Sequence, residues 1–273
     1  MDNILKHIGN TPLIQINKHV WAKLESVNPS GSIKDRIAKY MVEMAEKRGE
    51  LKKGYTVIEA TSGNTGISLA MVCAIKGYMM IAVMPENTSK KKIKMIELFG
   101  AKIVLTPKKE KLKGAIEKTH YLAKKYKKIW LPKQFENPDN VKCHEIGIGK
   151  EISNIKIDAF VAGIGTGGTL MGIAKALPKI KIIGVHAQES FHNIEGISDG
   201  IIPKIINVNL IDKIIKIKSK DAIERAKKIA KEQGLFVGIS SGANVLAAEI
   251  IAKKLNNVIT VLPDSGERYP EIW

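Results

Sequence analysis

From Tyr55 onward, short apolar runs alternate with stretches of helical periodicity, and this alternation restricts the fold more than any other feature of the chain. Residues 56–59 read as a strand, 64–76 as a helix, 79–84 as a strand, 90–99 as a helix, 102–105 as a strand, 114–125 as a helix and 128–131 as a strand. The second half repeats the rhythm with strand 159–162, helix 169–177, strands 181–185 and 213–217, helix 221–233, strand 235–237, helix 242–255 and strand 257–262. A strand reaches a parallel neighbour only through a crossover, so this order implies parallel sheets covered by helices. Two blocks of it predict an α/β protein of two three-layer α/β domains with mostly parallel twisted sheets, and a cleft between them suited to a cofactor. Residues 134–150, polar and glycine-bearing, are expected to carry the chain between the domains, and a further helix is expected over 35–48.

Composition narrows the class. The 273 residues are 44% hydrophobic, enough for a sizeable core, and contain no apolar run of membrane-spanning length. Met1-Asp2-Asn3-Ile4 lacks the layout of a signal peptide, and Cys73 and Cys143 form no Cys-x-x-Cys pair, so a reducing cytoplasm is expected. The net charge of +17 is almost wholly lysine, with arginine only at Arg36, Arg48, Arg225 and Arg268. The lysines are spread along amphipathic stretches such as 90–94 and 124–128, without aromatics or a recognition helix beside them. That pattern reads as a solvated surface and not as a nucleic-acid site. Histidines and cysteines show no ligand spacing, so no metal is expected.

Chemistry concentrates in a lysine and three glycine-rich turns. Lys34 closes the polar run Asn28-Pro29-Ser30-Gly31-Ser32-Ile33, just ahead of a helix, and a lysine amine can condense with an aldehyde cofactor. Thr61-Ser62-Gly63-Asn64-Thr65-Gly66 and Gly165-Thr166-Gly167-Gly168-Thr169 each follow a strand and open a helix, where backbone amides can hold a phosphate or a carboxylate. Taken alone, the first turn reads better as a routine helix cap. The second, extended to Gly163, also matches a dinucleotide fingerprint with Glu189 as its acidic partner, which leaves a dehydrogenase open. Gly238-Ile239-Ser240-Ser241-Gly242 matches a hydrolase elbow, but every histidine precedes Ser240 in the chain, against the order that fold requires. Ser240 reads better as a hydrogen-bonding group at a helix start.

Taken together, the motifs resemble the cysteine synthase family, within the β-replacing pyridoxal phosphate enzymes of the tryptophan-synthase-β type (fold type II). The matching residues run nearly end to end: Ile8-Gly9-Asn10-Thr11-Pro12-Leu13, Asn28-Pro29-Ser30, Lys34-Asp35-Arg36, the turn from Thr61 to Gly66, Gln134-Phe135, Asn137-Pro138, His144-Glu145, the turn from Gly165 to Thr169, the run from Gly238 to Ala243, and Pro263-Asp264-Ser265-Gly266-Glu267-Arg268-Tyr269. The resemblance implies pyridoxal 5'-phosphate in the cleft, with residues 1–35 and 138–273 forming a larger cofactor-binding domain and 36–137 a smaller mobile one. It implies Lys34 as the lysine joined to the cofactor aldehyde, Asn64 at the ring oxygen, Gly165, Thr166, Gly167, Gly168 and Thr169 around the phosphate, and Ser240 at the pyridine nitrogen. Thr61, Ser62, Thr65 and Gln134 correspond to residues gripping the amino acid carboxylate.

The implied reaction is β-replacement on an activated serine through an aminoacrylate, with O-acetyl-L-serine and sulfide giving L-cysteine and acetate, in a homodimer. Two departures qualify it. Residues 186–195 form a shorter stretch than the family's, and relatives generally continue past Trp273 with another helix. In addition, Ser198-Asp199 stand where sulfhydrylases carry small neutral residues. A carboxylate at Asp199 could serve as a base, which motivates an alternative in which L-cysteine is the substrate and water or another thiol replaces its sulfur, as in cystathionine β-synthase-like exchange. A silent binding protein of the same fold is a third class, disfavoured by the presence of Lys34.

Overall fold

The computed structural model describes residues 3–190, 192, 194–197 and 202–273. In chain order the strands are β1 (Leu13–Asn17), β2 (Val20–Leu24), β3 (Thr56–Ala60), β4 (Met79–Pro85), β5 (Lys102–Thr106), β6 (Ile129–Trp130), β7 (Ala159–Gly163), β8 (Lys181–Ala187), β9 (Lys213–Ile217) and β10 (Val258–Leu262). The α-helices are α1 (Lys34–Lys47), α2 (Asn64–Lys76), α3 (Lys90–Leu98), α4 (Lys111–Lys125), α5 (Pro138–His144), α6 (Gly168–Ala176), α7 (Ser219–Gln233) and α8 (Ile239–Ala252). The chain divides into two compact units, one made of the residues up to Lys6 and from Lys34 to Asp139, the other of His7 to Ile33 and Asn140 to Trp273.

The first unit is built on a four-stranded sheet ordered β5-β4-β3-β6, parallel throughout. All five residues of β3 are buried, as are the last six of β4, because a parallel strand flanked by crossover helices has no solvent face. The second unit carries a six-stranded sheet ordered β1-β2-β10-β7-β8-β9. Among the described strands of this sheet, β1 and β2 pair antiparallel and the rest parallel. Its core divides into two layers by strand alternation: Ala159 and Val161 pack with Val20, Ile183 and Val185, while Phe160 and Ala162 pack with Ile182, Ile259 and Val261 on the opposite face.

Three local differences from the sequence reading have physical causes. The β1–β2 hairpin precedes the alternating region and was hidden by its brevity. Residues 235–237 are not a strand, since Val237 makes one isolated bridge to Ser265 while Phe236 is 46% exposed with its ring edge-on to Trp273. The stretch 134–150 does carry the chain from one unit to the other, between Asp139 and Asn140, but as helix: Asn137 accepts a bond from the Asp139 amide at 2.9 Å, Pro138 takes the first helical position, and α5 runs on into a π-helical turn over Glu145–Gly149. Helix starts also move, and the shifts matter. α1 begins on Lys34 itself, and α8 begins at Ile239, which puts Ser240 in its first turn.

Candidate active site

In the first unit, β3 runs into α2 through Thr61, Ser62 and Gly63 at the carboxyl end of the sheet, where open α/β folds place ligands. The Thr61 hydroxyl oxygen accepts the amides of Gly63 and Gly66, both at 3.1 Å, which folds the turn onto itself. The Thr65 hydroxyl donates to Gln134 Oε1 at 2.7 Å, and Gln134 Nε2 donates to the Ala60 carbonyl at 3.2 Å. Thr61, Thr65 and Gln134 are buried, while Ser62 and Asn64 are half-buried and reachable. Lys34 is also half-buried, followed by the buried Asp35 and Arg36. Asp35 accepts the Ser68 hydroxyl of α2 at 2.6 Å, so the start of α1 is fastened to the helix that opens the turn.

Two charged residues in this unit escaped the sequence reading. Lys92 lies in the run 90–94 that reads as solvated surface, yet it is 1% exposed, and its side chain lies against Gly63, where an added Cβ would sit 3.0 Å from Lys92 Cδ. Its spacing of four from the buried Ile96 places it on the inner face of α3, the one signal available. Glu59, 3% exposed, accepts the amides of Lys133 at 2.9 Å and Gln134 at 3.2 Å. Burial pushes its carboxyl up to about 7 against the lowering effect of those two bonds. A lone acid inside Val57-Ile58-Glu59-Ala60 was the visible clue.

In the second unit, β7 runs into α6 through Ile164, Gly165, Thr166 and Gly167. Side chains are excluded here. A Cβ at Gly165 would fall 2.1 Å from the Gly196 carbonyl oxygen, at Gly167 2.2 Å from Ile206 Cγ1, and at Gly168 1.9 Å from Asn140 Oδ1. Gly167 also needs its φ of 82°. The Thr166 hydroxyl oxygen accepts Gly168 N–H at 3.3 Å and Asn140 Nδ2–H at 3.1 Å, and Thr169 Oγ1 lies 3.3 Å from His144 Nε2. The result is a helix start lined by amides and hydroxyls, a donor set that fits a phosphate monoester. Ser240 is buried in the first turn of α8, not exposed as a hydrolase elbow would be. Glu189 is spent on another task, accepting the Ser219 amide at 3.1 and 3.2 Å at the start of α7, which removes the acidic partner a dinucleotide site would need.

The remaining motifs hold the segment that leads to Lys34. Asn28 accepts Gly9 N–H at 2.9 Å and donates to Glu25 Oε2 at 2.8 Å, while Thr11 donates to Glu25 Oε1 at 2.7 Å. Ile33 N–H donates to the Pro263 carbonyl at 2.9 Å, Ser32 bridges Asp264, and the Arg268 guanidinium donates to the Ser30 carbonyl. The Ile8–Leu13 and Pro263–Tyr269 motifs thus bind the backbone before Lys34. Asp199 and its neighbour Ser198 lie outside the described residues. Among the described residues, no helix is long and apolar enough to cross a membrane.

Comparison with known proteins places this arrangement. Residues 4–264 match the family described as pyridoxal-phosphate dependent enzyme. The chain is 43% identical to a cysteine synthase of Staphylococcus aureus across 98% of its own length and 95% of the relative's. Its fold superimposes on a cysteine synthase (OASS) from Entamoeba histolytica with a TM-score of 0.94 and 36% identity, covering 100% of this chain and 90% of the other. A hydrogen sulfide-producing enzyme from Fusobacterium nucleatum matches with a TM-score of 0.93 and 38% identity over 98% of this chain and 99% of that one.

Proposed function

Because the chain belongs to the pyridoxal-phosphate dependent enzyme family, we propose that it is a cysteine synthase, converting O-acetyl-L-serine and sulfide to L-cysteine and acetate. The observation that carries the reading is the glycine-walled helix start from Gly165 to Thr169, a ready phosphate anchor, in a chain that also presents a half-buried Lys34 at the head of α1. Bound pyridoxal phosphate supplies an aldehyde and an electron-withdrawing ring that make a substrate α-proton removable and a β-substituent able to leave. In this reading the amides and hydroxyls from 165 to 169 hold the phosphate, and Asn64 donates to the ring oxygen. The Ser240 hydroxyl, in the first turn of α8, would offer the pyridine nitrogen a neutral hydrogen-bonding partner in place of a carboxylate. Lys34 Nζ is the attachment point and then the base that takes the α-proton, a contribution of roughly 10²–10⁴-fold. Ser62, Thr65 and Gln134 bind the substrate carboxylate, with Thr61 shaping the turn that presents them.

Purified protein supplied with O-acetylserine and sulfide should form cysteine, and borohydride should fix the cofactor to Lys34; absence of that adduct would end the assignment. A second reading has its own support in the similarity to a hydrogen sulfide-producing enzyme. There, L-cysteine and water give L-serine and hydrogen sulfide, with Asp199 as the base. Sulfide release from cysteine alone, lost in Asp199→Asn, would select it. A homodimer in the cytoplasm completes the proposal, with sedimentation velocity as the check on assembly.

A further inference from the structure

Glu59 has no part in the reaction as proposed, yet it is the one acid buried in β3 and it acts on the substrate side of the unit. Its two oxygens take consecutive backbone amides, Oε2 from Lys133 at 2.9 Å and Oε1 from Gln134 at 3.2 Å. Lys133 is held at a φ of 51°, a left-handed conformation that a non-glycine residue keeps only when its surroundings impose it. Those two bonds restrain it on the amide side, while its carbonyl accepts the amides of Glu136 at 2.8 Å and Asn137 at 2.9 Å. The backbone so fixed delivers the Gln134 side chain to the Thr65 hydroxyl at 2.7 Å and to the Ala60 carbonyl at 3.2 Å. One carboxylate therefore sets the geometry of the pair read as gripping the substrate.

We infer that Glu59 is a positioning residue for the substrate carboxylate: ionised, it holds the backbone at Lys133 and Gln134 and so orients Gln134 against Thr65, and protonated, it lets that pair loosen. A carboxylate offers acceptors at both oxygens, whereas a carboxylic acid turns one of them into a donor facing an amide that is itself a donor. Burial raises the carboxyl to about 7, which brings the change into the working range. Beside Glu59 is a cavity of about 40 Å3 walled by Ile116, Leu131 and Phe135. The titratable groups facing it are His120 from α4 and Lys133 and Glu136 from the segment after β6; the register partner on β4 is the apolar Ala82.

The inference rests on Gln134 and Thr65 binding the substrate carboxylate, so its test has one arm that needs no turnover. In the resting holoenzyme, the amide proton resonances of Lys133 and Gln134 should shift together with pH along a single titration near 7, and stay flat in Glu59→Gln. In the kinetic arm, KM for O-acetylserine should rise about tenfold as pH falls through that range, with kcat changing little; Glu59→Gln should show the raised KM at every pH. Glu59→Asp should restore part of the pH dependence. An amide titration that survives in Glu59→Gln belongs to another group and overturns the inference, as does a KM profile shared by wild type and Glu59→Gln. If the wild-type protein turns over neither O-acetylserine nor cysteine, the proposed reaction fails while the amide titration still decides whether Glu59 controls this backbone.

Discussion

After β3 the chain enters α2 through a turn tied by side chains: the Thr61 hydroxyl collects two amides, Thr65 reaches Gln134, and Glu59 anchors the segment behind it. After β7 the chain enters α6 through a turn walled by backbone and by neighbours that leave no room for a Cβ at Gly165, Gly167 or Gly168. Both are strand–turn–helix units with glycine and threonine, and local sequence scarcely separates them. Their supports differ in kind. Hydrogen bonds between side chains can be adjusted one at a time and can respond to protonation, whereas steric exclusion is all or nothing. A rigid collar suits a cofactor that stays bound; an adjustable grip suits a substrate that comes and goes.

The sharpest break of this contrast is a matched pair of alanines. At Gly165 a Cβ would meet the Gly196 carbonyl oxygen, a backbone atom unable to rotate away, so Gly165→Ala should cost on the order of 3 kcal/mol and strip the protein of cofactor absorbance. At Gly66 the added Cβ would meet Thr61 Cγ2 at 2.6 Å and Ile96 Cδ1 at 3.0 Å, side-chain atoms that can shift only by loosening the Thr61 bonds to its two amides. Gly66→Ala should cost about 2 kcal/mol and keep the cofactor. Urea unfolding and visible absorbance measure both, and equal losses would erase the distinction.

Next in size is Thr65→Val, which keeps the shape and removes the donor to Gln134 Oε1. KM for the amino acid substrate should rise roughly 10- to 100-fold while the cofactor band stays intact, because an acceptor is left unmatched at a buried site. Cofactor loss in this variant would mean that the first turn serves the same ligand as the second.

How much of this was legible beforehand follows the same division. Steric turns announce themselves in sequence, since Gly165, Gly167 and Gly168 must be glycine, and the alternating apolar runs gave both sheets. Side-chain support is a matter of which distant residue arrives. Glu59 lies 74 and 75 residues from the amides it binds, and no local pattern joins them. Lys92 was lost among its exposed neighbours for the same reason: burial is decided by the helix face, and a lysine run hides the one lysine that faces inward. The β1–β2 hairpin went unread because two five-residue strands carry too short a pattern.

A smaller effect separates the units by pH. In the folded protein Glu59 holds its proton up to about 7, against a reference of 4.5 for an unburied carboxyl. Between those values the folded state binds a proton that the unfolded state releases, so stability is highest below about 4.5, declines as pH rises from there to about 7 and is level beyond it, a change on the order of 3 kcal/mol. Urea midpoints at pH 5, 6, 7 and 8 should therefore fall in the wild type and stay level in Glu59→Gln. The sign opposes the inferred substrate effect: the pH that stabilises this unit is the pH at which it grips worst, as expected where a strained, buried charge is kept for function.

The finest test uses the feature the two turns share. Thr61 accepts from two amides of its own turn, and Thr166 accepts from Gly168 N–H and Asn140 Nδ2–H. Valine at either position is nearly isosteric and removes the hydroxyl, acceptor and donor together, at about 1 kcal/mol in each case. Equal losses of stability should then appear in different currents of function. Thr61→Val should raise KM for the amino acid by several-fold without moving the affinity for pyridoxal phosphate, because the loosened turn presents Ser62 and Thr65. Thr166→Val should weaken cofactor retention on dialysis and leave KM unchanged once cofactor is in excess, because the loosened amides are those proposed to hold the phosphate. If the two variants exchange these signatures, or share one, the turns do not divide substrate from cofactor, and the difference in their construction reflects packing alone.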